Sequence, residues 1–149
     1  MQRRGQIWFA VQFILFCALL FAPFAGRFDC PLWLRIPGLI ILSGGVTVTV
    51  VGYRTLGGSH SPWTNPIEGG NLVTKGIYRS IRHPIYTGWI LAALGWALLF
   101  GTLFGVGVAL AGLVFYDLKS KEEEKWLIET YAAYPAYKRE VKRFIPGIY

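Results

Sequence analysis

Apolar residues gather in four long runs rather than in the short stripes of a water-soluble domain. The runs cover 7–25, 34–51, 84–100 and 102–118, each long enough or nearly so to cross a hydrocarbon core of about 30 Å as a helix of about 20 residues. The second holds VTVTV at 46–50, which alternates like a strand. An open strand would leave its backbone groups unpaired in lipid, so the length and apolar flanks predict a helix there too. The last two runs are parted only around Gly101, which predicts a tight helical hairpin. Gly101 and Gly105 have GxxxG spacing, and Gly88, Gly95 and Gly112 add small surfaces for helix packing.

Charge placement predicts how the runs thread the bilayer. Arg3 and Arg4 precede the first run, Arg27 lies in the first connector and Arg35 at the outer edge of the second run, and Arg54, Lys75, Arg79 and Arg82 lie in the second connector. Seven more Lys and Arg follow the fourth run. With both termini cytoplasmic, thirteen basic residues lie inside and two outside, as the positive-inside rule asks. The expected fold is an all-α integral membrane protein of four transmembrane helices forming one domain over 1–149. It carries a cytoplasmic connector at 52–83 and a cytoplasmic tail at 119–149 ending in an amphipathic interfacial helix. The connector holds turn-rich pieces, LGGS at 56–59 and SPWTNP at 61–66, that read as an ordered loop or lid.

Composition supports this reading. The chain is 54% hydrophobic and 15% charged, where a soluble domain carries about a quarter charged residues. Its net charge of +7 points to anionic headgroups and topology rather than nucleic acid, because the basic residues flank apolar runs. Cys17 and Cys30 form neither a disulfide framework nor a metal-ligand spacing, and no metal site is expected. The basic start followed by an apolar run imitates a signal peptide. PFA at 23–25 is a poor cleavage site, however, so a retained first helix is expected.

Chemistry concentrates at two places. GIYRSIRHPIYTG at 76–88 packs Arg79, Arg82 and His83 against the start of the third run. Pro84 suits the first position of a helix, and the free N–H groups of such an end, backed by arginine, make an anion site. The plain alternative is that the arginines snorkel to headgroups and His83 caps the helix. Glu122, Glu123 and Glu124 follow the fourth run, where an acidic cluster is ordinarily a solvated helix face paired with neighbours such as Lys121 and Lys125. The hairpin changes that reading. It brings the two clusters together, and a pocket with cationic and anionic walls suits a zwitterionic ligand.

GxYxxxRHPxYxG joined to EExxL across one hairpin, with YPAY at 134–137 and RFIP at 143–146, resembles the isoprenylcysteine carboxyl methyltransferase and phospholipid methyltransferase superfamily. The resemblance runs from about residue 56 onward; the first two runs match it only as membrane helices. It implies a small membrane enzyme using S-adenosyl-L-methionine at the membrane–cytoplasm interface on a lipophilic acceptor. The acceptor would be an isoprenylcysteine-type carboxylate or a phospholipid amine. Carried over, His83, Tyr86, Gly88, Glu123 and Glu124 would line the cofactor pocket, Gly76 and Tyr78 would shape its entrance, and Arg82, His83 and Tyr86 would stand at the reacting centre. Expected partners are a lipid-modified substrate and membrane lipids, and the glycine-rich spans permit a homodimer. The competing readings are an NADPH-dependent reductase of sterol-reductase-like architecture and a non-catalytic four-helix protein or transporter. The inner stretches of the runs lack the ionisable residues that transport ordinarily needs.

Overall fold

Each apolar run folds as a helix, because only a helix closes its own backbone hydrogen bonds in lipid. The computed structural model describes residues 2–26, 28–57 and 71–149, with backbone alone for 2–4. In chain order the helices are α1 Gln2–Phe21, α2 Leu32–Leu56, α3 Pro84–Phe100, α4 Leu103–Thr130 and α5 Tyr134–Glu140, with 3-10 turns at Ala22–Phe24 and Gly76–Arg79. Among the described residues, Gly5–Phe24, Leu32–Leu56 and Leu103–Thr130 are long and apolar enough to cross a membrane, while Pro84–Phe100 is shorter. Ile14, Ile40 and Val114 are 60% or more exposed, an arrangement suited to lipid and costly in water. The chain is a multi-pass membrane protein. Of the turn-rich pieces at 56–59 and 61–66, read from the sequence as an ordered loop or lid, Leu56 ends α2 and Gly57 caps it, while 58–59 and 61–66 lie outside the described residues.

Three boundaries differ from the sequence reading. First, α2 runs on to Leu56 and takes five residues of the expected connector. Its VTVTV stretch is helical throughout, and the hydroxyls of Thr47 and Thr49 donate one turn back to the carbonyls of Ser43 and Gly45 at 2.8 and 3.0 Å. The threonines thus satisfy their own polarity inside the helix.

Second, α4 does not stop where the apolar run stops. Its 28 residues rise about 42 Å at 1.5 Å each, well beyond a core of about 30 Å. Glu122, Glu123 and Glu124 ride on its projecting end rather than on a separate amphipathic helix. Third, the tail breaks after Thr130, and Pro135 sits in the first turn of α5, where the missing N–H has no use. The apolar face of α5 and the residue after it, Tyr134, Tyr137 and Val141, packs against Leu72, Leu127 and Tyr131. The tail therefore folds back onto its own chain instead of turning that face to headgroups.

The hairpin forms as expected and is locked at its tip. Gly101 ends α3 at φ +61°, donating to the carbonyls of Ala97 and Leu98. That left-handed geometry strains any residue with a Cβ. Thr102 caps α4 by accepting from the Gly105 N–H at 3.3 Å, while its own hydroxyl lies 2.9 Å from the Ala22 carbonyl and 3.0 Å from that of Ala25. α3 meets α2 along a seam of glycines. Gly38, Gly45 and Gly52, seven residues apart, are the buried residues of α2. A Cβ on Gly38 would come within 2.7 Å of the Leu99 nitrogen, and one on Gly45 would be driven into the backbone of Ala92. On the other side of α3, α1 and α4 pack less closely. Leu19, Ala93 and Ala109 meet there with Trp96 and Val108, and a cleft remains between the three helices.

Candidate functional site

The site forms at the open end of the hairpin, where α3 begins and α4 overshoots the bilayer. Arg82 is only 9% exposed and His83 only 7%. The segment that presents them is held by the tail. The Arg82 N–H donates to the Lys142 carbonyl at 2.8 Å, the His83 N–H to that of Arg143 at 3.1 Å, and a parallel bridge pairs Ile81 with Lys142. The Thr87 hydroxyl adds a bond to the Phe144 carbonyl at 3.1 Å. The tail thus stitches the chain just before α3 as a neighbouring strand would.

Glu124 is the centre of the cluster. Its side chain is 1% exposed and is gripped from several directions. Arg82 reaches Oε1 through Nε at 3.0 Å and through a second guanidinium nitrogen at 2.8 Å. The Arg143 Nε lies 3.2 Å from Oε1, the Lys138 Nζ lies 2.9 Å from Oε2, and the His83 Nε2 is 3.3 Å from Oε1. Glu124 lies six residues past the last apolar run, outside the membrane-spanning part of α4. Burial by itself would push its pKa up. Hydrogen bonds from His83, Lys138 and Arg82 overcome that and hold the carboxyl well below the usual carboxylate range. A buried carboxylate with this many cations stays ionised and stays put.

Glu123, one residue earlier, has a different environment. Its side chain is 25% exposed, its Oε2 accepts from the Tyr86 hydroxyl at 2.8 Å and lies 3.7 Å from the His83 Nδ1. Among the described residues its Oε1 has no hydrogen-bond partner. His83 therefore turns one ring nitrogen to each glutamate. The His83 ring stacks on that of Tyr86, with centroids 5.4 Å apart and planes within 5°. Tyr86 in turn stacks on Tyr116 at 4.9 Å. A carboxylate oxygen left open among the described residues can take hydrogen-bond donors from a ligand.

The two sequence clusters thus meet as the hairpin required, through Glu123 and Glu124; Glu122 reaches Lys125 at 2.7 Å instead. Arg82 does not stand open to an anion. Besides gripping Glu124 it donates to the carbonyls of Lys138 and Val141, so its guanidinium is committed to holding the tail and Glu124. Nor does Gly88 join the cluster. Two residues past Tyr86 is about 200° around a helix, and Gly88 faces α2, pressed against Thr49 and the Gly45 carbonyl.

Gly76, at φ +59°, packs on the Thr55 side chain. Tyr78 is buried, and its carbonyl accepts from the Tyr137 hydroxyl at 2.6 Å. Burial, followed by the nearby charge of Glu123, pushes the Tyr78 phenol well above its ordinary pKa. Arg79 is exposed, which suits a headgroup contact. Sequence reasoning missed Lys138, Arg143 and Asp117, which pairs with Arg143 at 3.0 Å. No pattern within the tail distinguishes a cation aimed at lipid from one aimed at a buried glutamate.

Residues 33–134 match the phospholipid methyltransferase family, so the match begins inside α2, further upstream than the sequence resemblance reached. The chain is 33% identical over 120 residues to protein-S-isoprenylcysteine O-methyltransferase from Xenopus laevis, covering 78% of this chain and 42% of that one. The human protein of the same name is 31% identical over the same shares. The Dictyostelium discoideum one is 35% identical over 80 residues, covering 52% of this chain and 34% of the relative. This chain matches well under half of the length of these relatives.

Proposed function

The chain belongs to the phospholipid methyltransferase family, and from that premise we propose that it transfers a methyl group from S-adenosyl-L-methionine to a lipophilic acceptor at the membrane surface. The observation that carries the reading is the unequal pair of glutamates. Glu124 is consumed in holding α3, α4 and the tail together, which leaves Glu123, backed by His83 and Tyr86, as the carboxylate facing outward.

The residues fit the cofactor. Its ammonium group and ribose hydroxyls are donors that the Glu123 oxygen left open among the described residues would accept. When bound, the cofactor supplies an electrophilic methyl group on a positively charged sulfur. The protein orients and excludes water around that centre, which is the larger part of catalysis for an in-line displacement. A carboxylate acceptor is nucleophilic as it stands and asks no proton transfer of the protein. An amine acceptor must shed a proton, for which His83 and Glu123 are the nearest groups. Arg82 then acts by position, fixing Glu124 and the start of α3. Gly76 and Tyr78 border the site from the turn before α3.

In this reading all four long helices cross the bilayer as one domain. The shorter α3 is sheltered by α2, and both termini lie on the cytoplasmic side with the cluster. The relatives' name, which specifies an S-isoprenylcysteine, points to an acceptor with a long apolar tail. Calorimetric titration of the purified protein in nanodiscs with S-adenosylhomocysteine tests the proposal. Binding that weakens at least tenfold in Glu123→Gln is expected. Affinity for NADPH with none for S-adenosylhomocysteine would overturn it in favour of a reductase.

A further inference from the structure

The chain after α5 closes on itself in a way that water would not ask for. Over 144–149 the N–H groups of Phe144 and Ile145 both donate to the Tyr149 carbonyl at 2.7 Å, and those of Ile148 and Tyr149 both donate to the Ile145 carbonyl at 3.1 Å. Pro146 has no N–H, and Gly147 makes the reversal at φ +73°. The turn therefore pairs its own backbone, which a segment touching lipid must do and a segment in water need not. What it shows outward is apolar. Ile148 is 75% exposed, and Ile145 and Tyr149 are 49% exposed each.

The depth of this turn is fixed by three helices. Phe144 is buried against Phe115 and Tyr116, with Trp8 and Tyr86 packed on them. Trp8 and Tyr86 stand near the start of the first and third apolar runs, and Phe115 near the end of the fourth. The Tyr149 hydroxyl donates to Asp117 at 2.7 Å, one residue before the fourth run ends. The turn thus lies level with the point where the spans leave the hydrocarbon. Charge agrees with that place. Residues 134–149 hold four basic side chains and one acid, Glu140. Lys138 and Arg143 turn onto Glu124, while Arg139 and Lys142 are exposed and, among the described residues, make no ion pair.

We propose that the turn at 144–149 is an anchor in the adjoining leaflet, with Ile145 and Ile148 in the acyl boundary and Lys142 and Arg139 on anionic headgroups. The apolar face of α5 is taken by protein, and the lipid contact passes to the turn behind it. The anchor bears on the site through the backbone that precedes it. The carbonyls of Lys142 and Arg143 accept the N–H groups of Arg82 and His83, and that of Phe144 accepts the Thr87 hydroxyl. Lipid that holds the turn therefore also holds the segment that presents His83 and Tyr86. An anionic leaflet should keep that segment closed for more of the time than a zwitterionic one. This role does not depend on which ligand the cluster takes.

The test uses the full chain in nanodiscs with no ligand present. A nitroxide on Ile148→Cys, in a Cys17→Ser background, reports its surroundings by power saturation with oxygen and with a water-soluble nickel chelate. A label on Ala132→Cys, at an exposed position of the tail, gives the aqueous reference. Oxygen is expected to relax the Ile148 label several-fold more than nickel does, with the order reversed at Ala132. A label relaxed by nickel as strongly as at Ala132 would put the turn in water. One shielded from both would put it under protein, a second copy of the chain included. Either result overturns the assignment. Hydrogen exchange at the Arg82 and His83 amides reads the coupling. It is expected to be roughly threefold slower in discs containing phosphatidylglycerol than in phosphatidylcholine alone. Arg139→Gln with Lys142→Gln should abolish that difference, and Ile145→Ser with Ile148→Ser should quicken exchange in both lipids. Equal exchange in the two lipids, or exchange untouched by the serines, would overturn the proposal as well.

Discussion

The two ends of α3 are held by opposite physics. Along its middle it lies against α2 with glycine facing backbone, Gly45 against Ala92 and Gly38 against Leu99, and scarcely a side chain between them. At its start it is held by a cluster of charges, with Arg82 and His83 on Glu124 and the tail laid over both. Lipid offers no hydrophobic drive for one helix to seek another, so the seam rests on close van der Waals contact. The cluster lies where water has been excluded by protein, and there a charge is strong only when fully paired. The seam should therefore answer to volume and ignore charge, and the cluster should do the reverse.

The largest effect that tests this contrast is at adjacent glycines. Gly45→Leu would force a side chain into the Ala92 backbone, which cannot yield as a side-chain tip can, and no folded protein is expected on size exclusion in detergent. Gly44, whose added Cβ would meet nothing within 4 Å, should tolerate Gly44→Ala and gain about 0.5–1 kcal/mol of helix propensity. Equal behaviour of the two variants would erase the seam as an explanation.

Next in size is Glu124→Gln, which hardly changes volume but strips the charge that Arg82, Arg143 and Lys138 share. Breaking a buried ion pair from one side costs roughly 3–5 kcal/mol, so thermal unfolding should fall steeply. Cofactor binding should fail with the fold, not ahead of it. If stability is kept and only binding is lost, Glu124 is a ligand group and the division of labour between the glutamates is reversed.

Part of this contrast could be read in the chain beforehand and part could not. The meeting of RHP with Glu123 and Glu124 was legible because a two-residue turn leaves the ends of two helices nowhere else to be. The seam's own signature, Gly38, Gly45 and Gly52 at intervals of seven, was present but overshadowed by the GxxxG at Gly101. That glycine serves instead as the left-handed cap of α3. The return of Lys138 and Arg143 onto Glu124 was not legible at all. Helical periodicity says which residues share a face, not whether lipid or protein covers it, and here protein does.

A smaller effect separates the two glutamates directly. Tyr86→Phe keeps the stacked rings of His83, Tyr86 and Tyr116 but removes the hydroxyl that fixes Glu123. One hydrogen bond to a charged group is worth about 1.5–3 kcal/mol at most, and the partial exposure of Glu123 lowers it, so stability should change little. Binding of S-adenosylhomocysteine should weaken several-fold because the carboxylate is no longer oriented. Unchanged binding would shift the ligand site away from Glu123.

The smallest effect is a matter of pH. Tyr137 sits under the tail, donating to the Tyr78 carbonyl at 2.6 Å. Burial, with Arg82 opposing and Glu124 adding to it, leaves its pKa pushed up to about 12. The folded state therefore holds this proton more tightly than the unfolded chain, whose phenol titrates near about 10. Its contribution to stability is whole below pH 10 and drains away as pH rises from about 10 through 12. Tyr137→Phe should cost about 1 kcal/mol at neutral pH for the lost hydrogen bond, and its decline across that alkaline window should be shallower than that of the unaltered protein. Tyr78 and Tyr134, also shifted upward by burial, keep some slope. The smallest seam variant, Gly38→Ala, presses on the Leu99 backbone but titrates nothing, and should lower the whole curve parallel to the original. If its slope flattened as that of Tyr137→Phe does, the two ends of α3 would be coupled, and the separation of volume from charge would fail.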